Sequence, residues 1–208
     1  MPSFLHEDKM GRTKGVLIAG IDEVGRGPLA GPVIAAAVIW PCATDHTALW
    51  QRIDDSKKLT AAKREILSEE IKATALWAIG EASVAEIDAI NILNATFLAM
   101  RRALAALSVQ PTHALIDGNR VPRDFPVAAT AIVKGDSHSL SIAAASIVAK
   151  VHRDRLMAEL AHAHPHYGWE RNAGYGTATH MAGLAAHGAT PHHRASFAPI
   201  AAILNKVA

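Results

Sequence analysis

Two acidic side chains, Asp22 and Glu23, stand side by side after the apolar run Val16 to Ile21 and just before the turn Gly25-Arg26-Gly27-Pro28. Carboxylates held against a core strand are costly unless a cation or a proton neutralises them, so the pair reads as half of a metal site. The pattern recurs twice. His113-Ala-Leu-Ile leads into Asp117-Gly118, and the run Val127 to Val133 leads into Lys134-Gly135-Asp136. A turn explains one Asp beside one Gly. Three apolar strands that each end in a carboxylate fit the carboxyl edge of an open α/β sheet, where such sheets bind ligands. All-oxygen donors select Mg²⁺ or Mn²⁺ over zinc. Two such ions lie about 4 Å apart in two-metal hydrolytic sites, where one activates water and the other stabilises a leaving oxygen.

One geometric condition accompanies this reading. Successive side chains on a regular strand point to opposite faces, so Asp22 and Glu23 share an ion only if pairing fails near Glu23 or Glu23 reaches in from the strand end. Other chemistry-bearing residues are less specific. Lys57 and Lys58, in a polar loop from Asp54 to Thr60, suit either a solvated surface or a phosphate backbone held by point charges. The twelve histidines show neither the His/Glu spacing nor the cysteine partners of a zinc site, and zinc is not expected. Tyr167, Trp169 and Tyr175, interleaved with Arg171 and Arg194, are candidates for sugar and phosphate contacts. Asp154 is expected to pair with neighbouring arginines rather than a metal. Cys42, the single cysteine, is expected to be a partly buried apolar residue without chemistry.

Strands are expected over Val16 to Ile21, Val33 to Trp40, 73 to 82, His113 to Asp117 and Val127 to Val133. Helices are expected from Ala61, capped by Thr60; from a Ser83/Glu86 capping box through Leu107; from Ser137 to about Ala161; and over Ala178 to His187 behind Thr177. Asn91, Asn94 and Thr96 lie near the start of the second helix, on a groove or on its wet side. The stretch Leu140 to Val151 is almost wholly apolar and must press against the sheet.

With 208 residues, 50% of them hydrophobic, the chain can bury a substantial core. The expected organisation is a flexible segment over 1–15, a catalytic domain over 16–161 and a helical appendage over 162–208. No apolar run is long enough to span a bilayer and the N-terminus lacks signal-peptide character, so a cytoplasmic location is expected; a monomer is the default expectation. The formal charge of +2 does not announce a nucleic-acid binder, although acidic groups gathered in one pocket leave the remaining surface more basic.

Taken in order, Gly20-Ile-Asp22-Glu23-Val-Gly25-Arg26-Gly27-Pro28, Asp55-Ser56-Lys57-Lys58-Leu59, Ile116-Asp117-Gly118, Lys134-Gly135-Asp136, Ala144 to Asp154, Gly174-Tyr175-Gly176-Thr177 and His193-Arg194-Ala-Ser196-Phe197 resemble the type 2 ribonuclease H family, ribonuclease HII. The resemblance spans about residues 16 to 200. It implies a ribonuclease H-like α/β fold: a five-stranded mixed sheet, three antiparallel strands then two parallel ones, flanked by helices, with a small helical C-terminal part. It further implies hydrolysis of RNA in RNA/DNA hybrids and cutting 5′ of single ribonucleotides in duplex DNA, giving 5′-phosphate and 3′-hydroxyl ends. Asp22, Glu23, Asp117 and Asp136 would hold two Mg²⁺ or Mn²⁺ ions. Gly25, Arg26 and Gly27 would read the ribose 2′-OH, largely through backbone groups, and Tyr175 would stack on the sugar at the RNA-to-DNA junction. Type 3 relatives carry an N-terminal DNA-binding extension and a Glu in the fourth carboxylate position. Asp136 and the short stretch before Val16 favour type 2. Without an extra tail after Phe197, a sliding-clamp contact is not expected. The competing readings are a resolvase or transposase of the same fold, and a noncatalytic hybrid-binding module.

Overall fold

The computed structural model describes residues 1–42 and 46–207. Five strands, β1 (Ile18–Val24), β2 (Val33–Ile39), β3 (Leu76–Ala82), β4 (His113–Asp117) and β5 (Ala128–Ile132), form one sheet in the order β3-β2-β1-β4-β5. β1–β2 and β2–β3 are antiparallel; β1–β4 and β4–β5 are parallel. This is the mixed sheet expected. β2 is buried along its whole length, which is why its sequence is continuously apolar rather than alternating.

The helices are α1 (Leu5–Lys9), α2 (Thr47–Trp50), α3 (Ala61–Thr74), α4 (Val84–Ala105), α5 (Leu140–Ala163), α6 (Trp169–Asn172), α7 (Ala178–His187) and α8 (Ala198–Val207). Period-two alternation sends Ala19, Ile21, Val33 and Ala35 to one face, where Ala95, Ala99 and Met100 of α4 cover them. Ile34, Ala36 and Val38 face the other way, onto Ala144, Ile147 and Val148 of α5 and Leu67 and Ile71 of α3. At Gly20 the α5 backbone comes so near that an added Cβ would lie 2.1 Å from the Ser141 carbonyl carbon. Small residues at this crossing let α5 lie directly on β1 and bring Ser146 to the end of that strand.

Thr60, Ser83 and Thr177 cap α3, α4 and α7 through their side chains, and the Ser83/Glu86 box is complete. α4 is not the single helix expected. Asn91 leaves helical geometry at φ 65, ψ 164, and its Oδ1 accepts from the amides of Leu93 and Asn94 at 3.0 and 3.1 Å. The helix therefore stops and restarts on an internal Asn cap.

Residues 1–15, expected as a flexible segment, are instead tied to the start of α5. Ser3 bridges to Ser139, and the fully buried Glu7 accepts from Ser139 Oγ at 2.7 Å and the Ser141 amide at 3.0 Å. Cys42 is exposed rather than partly buried. Asp154 pairs with Lys150 at 2.5 Å and Arg64 at 3.7 Å, not with the arginines beside it. Among the described residues no helix is long and apolar enough to cross a membrane.

Candidate active site

β1 keeps its register with β2 as far as Val24↔Ile34, but its pairing with β4 ends at Ile21↔Ile116. Asp22 and Glu23 thus lie one and two positions past the last β1–β4 pair, at an open mouth on the carboxyl side. The condition that pairing fail near Glu23 is met on the β4 side only, while β2 stays paired through Glu23 and Val24. Alternation still applies: Asp22 lies on the α5 face with Gly20, and Glu23 on the α4 face with Ile21. There Glu23 lines a cavity of about 320 Å³ with Thr96, Phe97, Met100 and Asp117. The two carboxylates flank the sheet edge from opposite sides instead of sharing one face.

Asp117, the last residue of β4, accepts from the Gly135 amide through Oδ1 at 2.6 Å. That bond fixes the turn Gly135–Ser137 and with it the buried Asp136. Asp136 Oδ2 lies 3.9 Å from Lys57 Nζ. Asp22 Oδ1 accepts from the Glu23 amide at 2.7 Å, and Glu23 Oε1 accepts from Arg26 Nη1 at 3.3 Å. Glu23 Oε2 is buried and has no hydrogen-bond partner among the described residues.

The groups feel one another's charge. Burial, reinforced by Glu23 and Asp117, holds Asp22 well above the usual carboxylate range. Burial also raises Glu23, against the pull of Arg26. Asp136 is raised by burial and then by Asp55 and Asp117. For Lys57 burial acts downward, yet Asp136, Asp55, Asp22 and Asp117 together leave it raised. Such a site is short of positive charge. Among the described residues no three His, Cys, Asp or Glu groups are arranged to close on one ion; in this geometry each of the four carboxylates faces a donor or cation of the chain itself. The donor set nonetheless fits a hard divalent cation: it is all oxygen, partly desolvated, and includes one orphaned carboxylate oxygen.

The two lysines part company. Lys57 faces the carboxylates, whereas Lys58 turns to Asp54 at 3.1 Å. Ser146, on the α5 face beside Asp22, hydrogen bonds to Ser56 Oγ at 2.8 Å and so ties the lysine loop to the site.

The glycine-rich loop is clamped from behind. Gly25 has φ +92, and a Cβ there would meet Arg153 Nε at 2.2 Å, so both conformation and space call for glycine. Arg194 donates to the carbonyls of Gly25 (2.5 Å), Arg26 (3.0 Å), Gly31 (2.8 Å) and Pro32 (3.3 Å). Arg153 donates to those of Ala30 (2.9 Å), Pro32 (3.1 Å) and Ala173 (2.8 Å). Both are fully buried, which pulls their pKa values down to about 9 and about 10. Arg194 is therefore a strut and not the phosphate contact its position among aromatics implied. Tyr167 and Trp169 are likewise buried in a cluster with Leu29 and Met157. Of the three aromatics only Tyr175 is exposed, at 50%, with its ring against Gly27.

A buried histidine relay fixes the Tyr175 backbone. The Thr190 amide can only donate, so His193 Nδ1 accepts (2.9 Å) and its Nε2 carries the proton toward His180 Nε2 at 3.0 Å. His180 Nε2 also accepts from Trp169 Nε1 at 3.2 Å, leaving Nδ1–H to donate to the Tyr175 carbonyl at 3.0 Å. Sequence reasoning missed the roles of Arg153, Arg194, Ser146 and this relay. One signal was present for Arg153: it sits between Ala149 and Met157 at i, i+4 spacing, both of them buried.

A family model described as Ribonuclease HII matches residues 19–200. The Ribonuclease HII of Paramagnetospirillum magneticum is 62% identical over 187 residues, which cover 90% of this chain and 92% of that protein. Among solved structures, the ribonuclease H2 of Pyrococcus horikoshii superposes with a TM-score of 0.74 at 24% identity, covering 92% of this chain and 98% of the other. The RNase HII of Archaeoglobus fulgidus, solved as a complex with PCNA, gives 0.71 at 26% identity, with 86% and 94% covered.

Proposed function

The chain belongs to the ribonuclease HII family, whose members are hydrolytic nucleases, and we propose that it hydrolyses RNA in RNA/DNA hybrids and cuts 5′ of single ribonucleotides embedded in duplex DNA. The observation that carries this reading is the juxtaposition of Asp22, Glu23, Asp117 and Asp136 with the clamped Gly25-Arg26-Gly27 loop and Tyr175. Acidic groups repel a phosphodiester, so a carboxylate cluster beside a sugar-sized loop makes sense only with cations between them.

Asp22, Glu23, Asp117 and Asp136 would hold Mg²⁺ or Mn²⁺. When bound, two divalent ions supply charge neutralisation, a nucleophile at neutral pH and stabilisation of the leaving oxygen, giving 5′-phosphate and 3′-hydroxyl ends. The rest falls to the chain. Glu23 brings negative charge from the α4 side of the sheet edge, and Asp22, Asp117 and Asp136 from the α5 side, with Asp117 at the strand end also reaching the cavity that Glu23 lines. Lys57 brings a cation to the rim, where a phosphate entering the site meets it. The 2′-OH is the sugar group that separates RNA from DNA, and the backbone of Gly25, Arg26 and Gly27, immobilised by Arg194, reads it. Tyr175 packs the neighbouring sugar. Lys58, held by Asp54, adds only diffuse attraction for phosphate.

The expectation that a sliding clamp is not a partner rested on where the chain ends. The solved complex of the Archaeoglobus fulgidus relative with PCNA removes that argument, and a clamp contact is compatible with this fold. The proposal is tested with a DNA duplex carrying one ribonucleotide, with and without EDTA. Cutting beside the ribose that EDTA abolishes is expected. Cutting of an all-DNA duplex would favour a transposase-like enzyme, and binding without cutting a noncatalytic module.

A further inference from the structure

The twelve arginines of the chain divide sharply by partner. Seven lie against carboxylates, and Arg153 and Arg194 are spent on buried carbonyls. Arg101, Arg120 and Arg123 have no acceptor among the described residues, and all three line one cavity of about 490 Å³ with Asn94, Phe97 and Val121. No carboxylate lines it. Phe97 and Arg120 also line the cavity that holds Glu23 and Asp117, so the two hollows form one groove that runs from the carboxylates out past α4 and the β4–β5 connection.

Three like charges left unpaired around one hollow, on a chain that otherwise pairs its arginines, repel one another unless an anion lies between them. The guanidinium fork matches phosphate oxygens in two-point geometry, and an apolar floor at Phe97 suits the face of a sugar. The occupant must also be continuous with whatever enters the carboxylate cavity, because the groove is shared. We infer that Arg101, Arg120 and Arg123 hold the sugar-phosphate backbone of the duplex flanking the cut, as a track that sets register without reading sequence. The inference rests on the ribonuclease reading for its substrate and extends it to an arm of the protein that carries no catalytic carboxylate.

Binding of an all-DNA duplex, measured against salt, tests the track without requiring cleavage. Each phosphate neutralised contributes about 0.9 to the slope of log affinity against log salt. The triple variant Arg101→Ala, Arg120→Ala, Arg123→Ala is expected to lower the slope by about 2 to 3 and weaken binding at least about tenfold near 0.1 M salt. A triple Lys variant, which keeps the point charges, should stay within about one unit of the wild-type slope; Arg52→Ala, an arginine paired with Glu70 elsewhere on the surface, should also remain there. Trimming the duplex on the flank that reaches the groove should erase the difference between wild type and the triple Ala variant. An unchanged slope in a triple Ala variant with a normal thermal melt would overturn the track. So would an equal loss in Arg52→Ala. Failure of the wild type to cut a ribonucleotide-containing duplex would refute the activity instead, and the binding slope would still decide the groove.

Discussion

Arg194→Ala isolates the clamp behind the glycine-rich loop. Removing the guanidinium leaves four carbonyls without this donor, but they are not equivalent. Pro32 keeps its bond from Arg153, and Arg26, exposed on the loop, gains water. Gly25 and Gly31 are buried, and each would lose its guanidinium donor. An unmet buried acceptor costs about 1–3 kcal/mol, so two of them give about 2–6 kcal/mol. Relief of the repulsion between Arg194 and Arg153 offsets part of this, leaving about 3 kcal/mol. For a chain of this length that corresponds to a fall in Tm of about 6–12 °C, read by circular dichroism. Because the same carbonyls fix the loop against Tyr175, cutting beside an embedded ribonucleotide should fall by about a hundredfold at temperatures where the variant is still folded. Arg194→Lys should recover little of either, since a single ammonium cannot span four carbonyls as a planar fork does. A Tm within 3 °C of wild type, or full rescue by lysine, would refute the reasoning.

Asp136→Asn should lower turnover on the embedded-ribonucleotide duplex by at least about a hundredfold while duplex binding, followed by fluorescence anisotropy, stays within a few-fold; normal turnover would remove Asp136 from the mechanism. His193, depressed to about 4 by burial and the adjacent His180, binds fewer protons in the folded than in the unfolded chain between pH 4 and 6.5. Stability should therefore fall as pH drops through that window, by about 3 kcal/mol in all. Urea melts across the window should flatten in His193→Asn, and an equally steep variant would exclude this source. Gly20→Ala drives a methyl into the Ser141 backbone and should cost about 1–3 kcal/mol or more by denaturant midpoint, where an ordinary exposed Gly→Ala change stabilises.

Much of this protein is legible locally. Short apolar runs that lead into Asp22-Glu23, Asp117 and Lys134-Gly135-Asp136 specify strands whose ends carry charge, and Thr60, Ser83 and Thr177 mark helix starts because a cap needs only a hydroxyl three residues upstream of an amide. The continuous apolar sequence of β2 and of the first half of α5 follows from burial on every side. Asn91 broke the α4 expectation because a side-chain cap inside an apolar periodicity is indistinguishable, one residue at a time, from a polar residue on the wet face.

What the sequence determined by itself was the supply of carboxylates at strand ends and the glycines where backbone or ligand must come close. The tertiary structure alone decided the partners. Arg194 reads as a surface phosphate contact until the C-terminal part folds over the loop and buries it against four carbonyls more than a hundred and sixty positions away. Asp22 and Glu23 came to flank a sheet edge because β1 stops pairing with β4 at Ile21, three residues before it stops pairing with β2 at Val24. The reason is physical: strand alternation and capping are set by nearest neighbours along the chain, whereas a hydrogen-bond partner or a shared electrostatic field is set by which surfaces meet when the core closes.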